Sequence, residues 1–185
     1  PSRGLCKYKP SQEKSKRLER LKGEEVLKEL MSLFTDGVKF VEPGDLTGSL
    51  RGRNNLYNHL DMLIRSAERT VTIVTTADGL NRKMEALMVS LEKAKKRGVK
   101  IRIAAPLTQQ NASVAKELSS VAEVKNLGGM KARFALIDSE QLMFMLLDDD
   151  KVHPNYDLGI WVNTPFFAQA VEQLFELAWK QLKGR

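Results

Sequence analysis

The sequence predicts an α/β protein: a mixed, partly parallel sheet flanked by helices, preceded by an N-terminal helical arm. Three observations carry this. Between residues 70 and 126, β-branched runs alternate with amphipathic stretches of helical period, and such alternation requires parallel strands joined by crossover helices. Between 131 and 163, apolar runs follow one another with only turns between them, which adds antiparallel pairing. Before residue 37 the pattern is a thin apolar stripe on a heavily charged helix.

In chain order, residues 1–10 read as an extended polar entry, and Ser11 to about Phe34 as a helix. Leu18, Leu21, Leu27, Leu30 and Phe34 fall on one side of it, while Gly23 weakens its middle by about 1 kcal/mol relative to Ala. A stripe this narrow is not stable alone; it packs on the body of the chain or on its twin in a dimer. Thr35-Asp36-Gly37 is a turn signal, so the chain divides into 1–36 and 37–185.

A short strand over Val38–Val41 is expected next, then a loop at Glu42-Pro43-Gly44-Asp45. Leu56, Leu60, Leu63, Ile64 and Ala67 predict a helix over 53–67, and the β-branched run 70–76 predicts a strand. A long helix over 79–97 ends in Lys93, Lys95, Lys96, Arg97 and Gly98. Cations in a last turn with glycine beyond suit the helix dipole and a left-handed cap, which gives this basic run a local explanation. A strand at 99–105, a helix near 111–121 capped by Asn111, and a strand near 123–126 follow. Strands from Lys131 to Asp138 and from Gln141 to Leu147 make a hairpin, and 158–163 is the last strand. Thr164 and Pro165 are read as N-cap and first residue of a final helix so apolar that it lies across the core or in a subunit interface.

The net charge of +7 and pI near 9.5 favour acidic partners, nucleic acid being the commonest, although a solvated basic surface accounts for the same numbers. A lone Cys6 makes no intramolecular disulfide, and there is neither a run of 18 apolar residues nor a signal-peptide core. The expectation is a cytoplasmic protein without cofactor or membrane span.

Candidate chemistry is sparse. His59 and His153 are the only histidines. His59 reads as a packing residue, and the acidic run Asp148-Asp149-Asp150 before His153 reads as a solvated turn, because its spacing matches no calcium loop. Glycine-rich phosphate loops, paired cysteines and HExxH are absent from the sequence, so no catalytic and no metal residues are assigned. The informative segment is Met130–Asp138. On a strand, Lys131 and Arg133 share a face, and two adjacent cations there line an anion-binding crevice, find carboxylates such as Asp138, or stand on an exposed sheet face. Open α/β sheets bind ligands beyond the carboxyl ends of parallel strands, which adds Thr75 and Thr76 to an expected effector site with Lys131, Arg133 and Asp138.

The runs at 97–106, 131–144 and 159–179 resemble a phospholipase-D-like half-domain. The catalytic signature of that superfamily is His-x-Lys-x4-Asp; here Lys131 holds the histidine position, Arg133 the lysine position and Asp138 the aspartate position. A lysine cannot serve as phosphoryl acceptor and proton shuttle as an imidazole does, so hydrolysis is not expected. With the preceding charged helix, the chain is similar to the TrmB family of archaeal transcription regulators. That resemblance implies a homodimer joined through the stripe Leu18 to Phe34. It also implies a sensing domain over 37–185 for a small polar or anionic ligand, and DNA contact through a winged helix not found in this sequence. The expectation is then a fragment or a shortened paralogue. Rival expectations are a divergent phosphodiesterase or nuclease using Lys131, Arg133 and Asp138, and weak, sequence-independent DNA binding by the basic surface.

Overall fold

The computed structural model describes residues 43–129 and 131–184. The arm stripe (Leu18, Leu21, Leu27, Leu30, Phe34) and the expected strand Val38–Val41 lie outside the described residues. The chain divides into two units at Glu42/Pro43, and the second, Pro43–Arg185, carries the sheet.

Its elements are α1 (Pro43–Leu46), β1 (Thr47–Arg51), α2 (Arg53–Ser66), β2 (Thr70–Val74), α3 (Ala77–Lys96), β3 (Lys100–Ala105) and α4 (Ala112–Leu118). Beyond them come β4 (Glu123–Asn126), β5 (Phe134–Ile137), β6 (Gln141–Met145), β7 (Leu158–Asn163), α5 (Pro165–Gln181) and a two-residue β8 (Lys183–Gly184). The eight strands form one sheet in the order β1-β7-β6-β5-β2-β3-β4-β8. Parallel pairing is confined to β2 with β3 and β3 with β4, where crossover helices intervene; the other pairs are antiparallel. The mixed sheet expected from the pattern is the one found.

Alternation along the strands sends side chains to two faces, and each face meets different helices. On one, Val71, Ile73, Ile101, Ile103, Ala135 and Met143 pack against Leu60 and Ile64 of α2, Leu80, Leu87 and Leu91 of α3, and Leu118 of α4. On the other, Val74, Ala104, Leu136 and Leu142 meet only α5, through Ala168, Phe175 and Trp179. Among the described residues, three helices thus cover one face and a single helix the other.

Some expectations change. The segment expected as loop before Leu46 contains a helical turn opened by Pro43, whose restricted φ suits a first helical position. β1 carries the polar, glycine-containing sequence TGSLR and was not legible as a strand; it pairs at the sheet edge with β7, Gly48 lying opposite Trp161. Asn111 precedes α4 without capping it; its carboxamide instead accepts from Thr108 N (2.8 Å) and donates to Pro106 O (2.9 Å). Thr164 likewise makes no cap hydrogen bond, whereas Pro165 does open α5. The basic end of α3 is as expected: Gly98 takes φ 91, and Arg97 donates to the carbonyls of Ile64 and Ala67, both at 3.0 Å, tying α3 to the end of α2.

Candidate functional site

Strand direction decides which residues meet. β1, β2, β3, β4 and β6 end at the same side of the sheet, where β5 and β7 begin. Arg53 after β1, Thr75 and Thr76 after β2, Arg133 before β5 and the loop 146–157 between β6 and β7 are therefore brought together. The first turns of α3 add Arg82 and Lys83.

Two carboxylates with no exposed side-chain surface organise this end. Asp157 accepts from Arg133 Nη1 (3.0 Å) and Nη2 (2.8 Å) and from Arg53 Nε (3.2 Å). Asp149 accepts from Arg82 Nη2 (2.5 Å) and from the Thr76 hydroxyl (2.9 Å), and lies 3.6 Å from Arg133 Nε. Thr76 in turn accepts from Gly79 N (3.0 Å) as the N-cap of α3, so one hydroxyl joins the helix start to the buried acid. Beneath them Lys83, 4% exposed, donates to Thr75 Oγ1 (2.9 Å) and stands 5.3 Å from the Tyr57 ring centre. Gly79 is required by close approach: a Cβ there would meet Thr75 Oγ1, Thr76 Oγ1 at 2.7 Å and Asp149 Oδ2 at 3.0 Å.

The charges do not balance. Among the described residues, Arg53, Arg82 and Arg133 pair with Asp149 and Asp157 and Lys83 donates to Thr75, while Lys131 and Asp148 form a separate pair at 3.2 Å nearer solvent. Burial, reinforced by the neighbouring Arg133, brings the Lys83 amine down to about 7. Burial opposes ionisation of Asp157 as well, but the hydrogen-bonded guanidiniums of Arg133 and Arg53 outweigh it and hold the carboxyl below its ordinary value. Burial raises the Tyr57 phenol, whose hydroxyl faces Arg82 without a well-aligned hydrogen bond. Above the network lies a hollow of about 160 Å³ lined by Thr76, Lys131, Arg133, Met145, Leu147 and Asp148, among others.

Of the expected effector residues, Thr76, Lys131 and Arg133 line the hollow, and Thr75 sits below it, fully buried. Lys131 and Arg133 are not neighbours on a strand face: β5 starts only at Phe134, Lys131 is exposed, and Arg133 is buried among carboxylates. Asp138 is not at this site. It lies beyond the far end of β5, at φ 54 in the hairpin turn. There its carboxylate accepts from the backbone N–H groups of Glu68 (2.9 Å), Arg69 (2.7 Å) and Thr70 (2.7 Å). The acidic run is also not the solvated turn expected, because Asp149 is buried and ion-paired while Asp150 is exposed. Carboxylate oxygens of Asp148, Asp149 and Asp150 lie within 4.8 Å of one another, but those of Asp149 are already engaged by Arg82 and Thr76. Neither histidine lines the hollow: His59 packs 5.8 Å from the Trp161 ring, and His153 accepts from Asn155 N at the start of a short 3-10 turn. Arg53, Tyr57, Gly79, Arg82, Lys83, Asp149 and Asp157 were missed from sequence. One of them left a signal, since Lys83 interrupts the apolar stripe Leu80, Met84, Leu87. Among the described residues no helix is long and apolar enough to cross a membrane.

No family model and no curated protein matches the chain by sequence. Solved structures do match in fold. TrmBL2, described as an archaeal chromatin protein with a novel mode of DNA binding, superposes with a TM-score of 0.59 at 16% identity over 94% of this chain and 67% of its own. Nuc of Salmonella typhimurium, a phospholipase D family member, gives 0.58 at 14% identity, covering 75% of this chain and 98% of its own. NucT from Helicobacter pylori gives 0.58 at 15% identity with the same coverage. At these identities the likeness is one of fold: the chain has a phospholipase-D-like α/β architecture.

Proposed function

We propose that residues 43–184 form a non-catalytic sensing domain that binds a small anion at the carboxyl end of β2, within a regulator that acts on DNA. One observation carries the reading: three buried or half-buried arginines, with the Lys83 amine beside them, face two buried carboxylates beneath a hollow with no imidazole among its lining residues. Excess positive charge with low-dielectric walls attracts an anion. The similarity in fold to TrmBL2 and the net charge of +7 support the link to DNA. Pairing of two copies through Leu18, Leu21, Leu27, Leu30 and Phe34 belongs to the same proposal.

The test uses inorganic phosphate, glucose 6-phosphate and succinate as probes in thermal unfolding and calorimetry. At least one raises the melting temperature, a ligand at 100 times its Kd contributing about 2.7 kcal/mol. Lys131→Ala, at an exposed position, weakens that binding about tenfold without loss of fold. Hydrolysis of bis(p-nitrophenyl) phosphate that disappears in the Lys131→Ala protein would overturn the reading in favour of a divergent phosphodiesterase; absence of any anion effect would remove the sensing site.

A further inference from the structure

Among the described residues, helix α5 turns one face to the sheet and has nothing packed on the other. Its inner face is spent on Ala168, Phe175 and Trp179, and its two acids also turn inward, Glu172 lying 3.7 Å from Arg102 and Glu176 hydrogen-bonded to it. The outer face carries Phe166 at 88% exposure, Leu174 at 68%, Leu177 at 62% and Phe167 at 43%. Exposed Gln169, Ala170, Gln173 and Gln181 lie between and beside them. Positions 166, 170, 174, 177 and 181 follow the helical period and make one continuous stripe. Four of the nine large hydrophobics exposed among the described residues are on this one helix, so they form a patch and not scatter. In a chain that is 29% charged, the face holds one charged residue, the exposed Lys180, which stands beside the stripe one turn beyond Leu177.

We infer that this face of α5 is an interface with a second copy of the same chain, the two helices packing antiparallel about a two-fold axis. The stripe is self-complementary in that orientation: Phe166 meets the partner's Leu177, and small Ala170 meets the partner's Leu174, so bulk opposes lack of bulk along the seam. Gln173 lies beside the two-fold axis, where it can exchange amide hydrogen bonds with its own copy. Two phenylalanines and two leucines this exposed supply on the order of half the ~800 Å² each partner brings to a stable interface, and exposed Gln169, Ala170, Gln173 and Gln181 around them add to it. Charge favours a copy at this face in particular. Two molecules of net charge +7 repel wherever their cations meet, and a face whose single cation, Lys180, stands at the end of the stripe keeps that repulsion small. A lipid surface fits less well, since membrane-lying helices flank their apolar face with several cations, whereas Lys180 is the single cation of α5 and Glu172 and Glu176 on that flank are committed to Arg102.

Light scattering on the full chain tests this. The protein is expected to be a dimer of its 20.9 kDa chain, or a tetramer if the stripe at 18–34 also pairs. Leu174→Glu with Leu177→Glu is expected to halve that mass, and Leu27→Glu with Leu30→Glu leaves the α5 contact in place. Circular dichroism and a melting temperature within a few degrees of the parent confirm that the variant is folded. A second measurement does not depend on that variant. In a Cys6→Ser background, F166C protein mixed with L177C protein is expected to give mixed cross-links with a short bis-maleimide in preference to like-with-like ones. A monomeric parent, whether its face is bare or covered by residues 1–42, would overturn the inference. So would a mass unchanged by the α5 substitutions, or cross-links of Phe166→Cys chiefly to itself.

Discussion

The two ends of the central sheet both rest on an aspartate that gathers several donors, yet they do opposite things with it. At the far end, Asp138 accepts from three consecutive backbone N–H groups, and Arg69 closes the turn by reaching Glu140 at 2.8 Å. That end is partly solvated and its donors are main chain, so it fixes where β2 begins. At the carboxyl end, Asp157 and Asp149 accept from arginine side chains with no solvent to share the load, leaving cations in excess. One aspartate staples a turn, while the other two hold charge in place. The spacing Lys131, Arg133, Asp138 suggests a single constellation, but Arg133 and Asp138 are five residues apart along an extended strand, roughly 17 Å at strand rise. A motif that spans a strand serves both ends of the sheet.

Breaking the buried end should have the largest effect. Arg133→Ala leaves Asp149 and Asp157 short of a partner in a dry site, and removing one member of a buried pair costs about 3–5 kcal/mol. Urea denaturation would reveal it as a shifted midpoint, and a loss under about 1 kcal/mol would mean that water reaches the network. Lys83 should make itself felt through pH. Its amine has an ordinary value of 10.5 and one near 7 in the fold, so between those values the unfolded chain binds a proton that the folded chain does not. Stability contributed by this group is complete above about 10.5 and is lost as pH falls toward 7. The parent's melting temperature should therefore rise from about pH 7 to about pH 10 more steeply than that of Lys83→Met, and parallel curves would contradict the burial. Gly79→Ala comes next: a Cβ pressed on Thr76 and Asp149 should cost about 1–3 kcal/mol, the usual penalty of overfilling a packed site.

How much of the molecule is readable from sequence depends on where the physics is local. β2 and β3 announce themselves by β-branched runs, and α2 and α3 by Leu56, Leu60, Leu87 and Leu91 at helical spacing, because those signals depend only on near neighbours. β1 hides, since an edge strand needs little apolar content and its backbone partner lies more than a hundred residues away. The site divides in the same way. Thr75, Thr76 and Arg133 were found because a parallel strand end and a strand start can be located from sequence. Arg53 and Asp157 are 104 residues apart and meet only because β1 and β7 pair at the sheet edge. Asp149 could not be separated from Asp148 and Asp150, since nothing in a run of three identical residues says which one the chain turns inward. The glutamates of α5 show the converse. It is Arg102 on β3, a partner that no pattern within the helix announces, that draws them in.

The smallest effect, and the one that separates the two ends most cleanly, belongs to Asp138. Asp138→Ala removes three hydrogen bonds to backbone N–H groups that are exposed or half-buried, so water replaces much of what is lost. The residue also sits at φ 54, where alanine is less at ease than aspartate. Together these should cost about 1–2 kcal/mol. Binding of the small anion should be unchanged within twofold once the protein is folded, because β5 stands between this turn and the hollow. A loss of affinity comparable to that of Lys131→Ala would mean that the strand transmits the state of its turn to Arg133, and that the two ends work as one device.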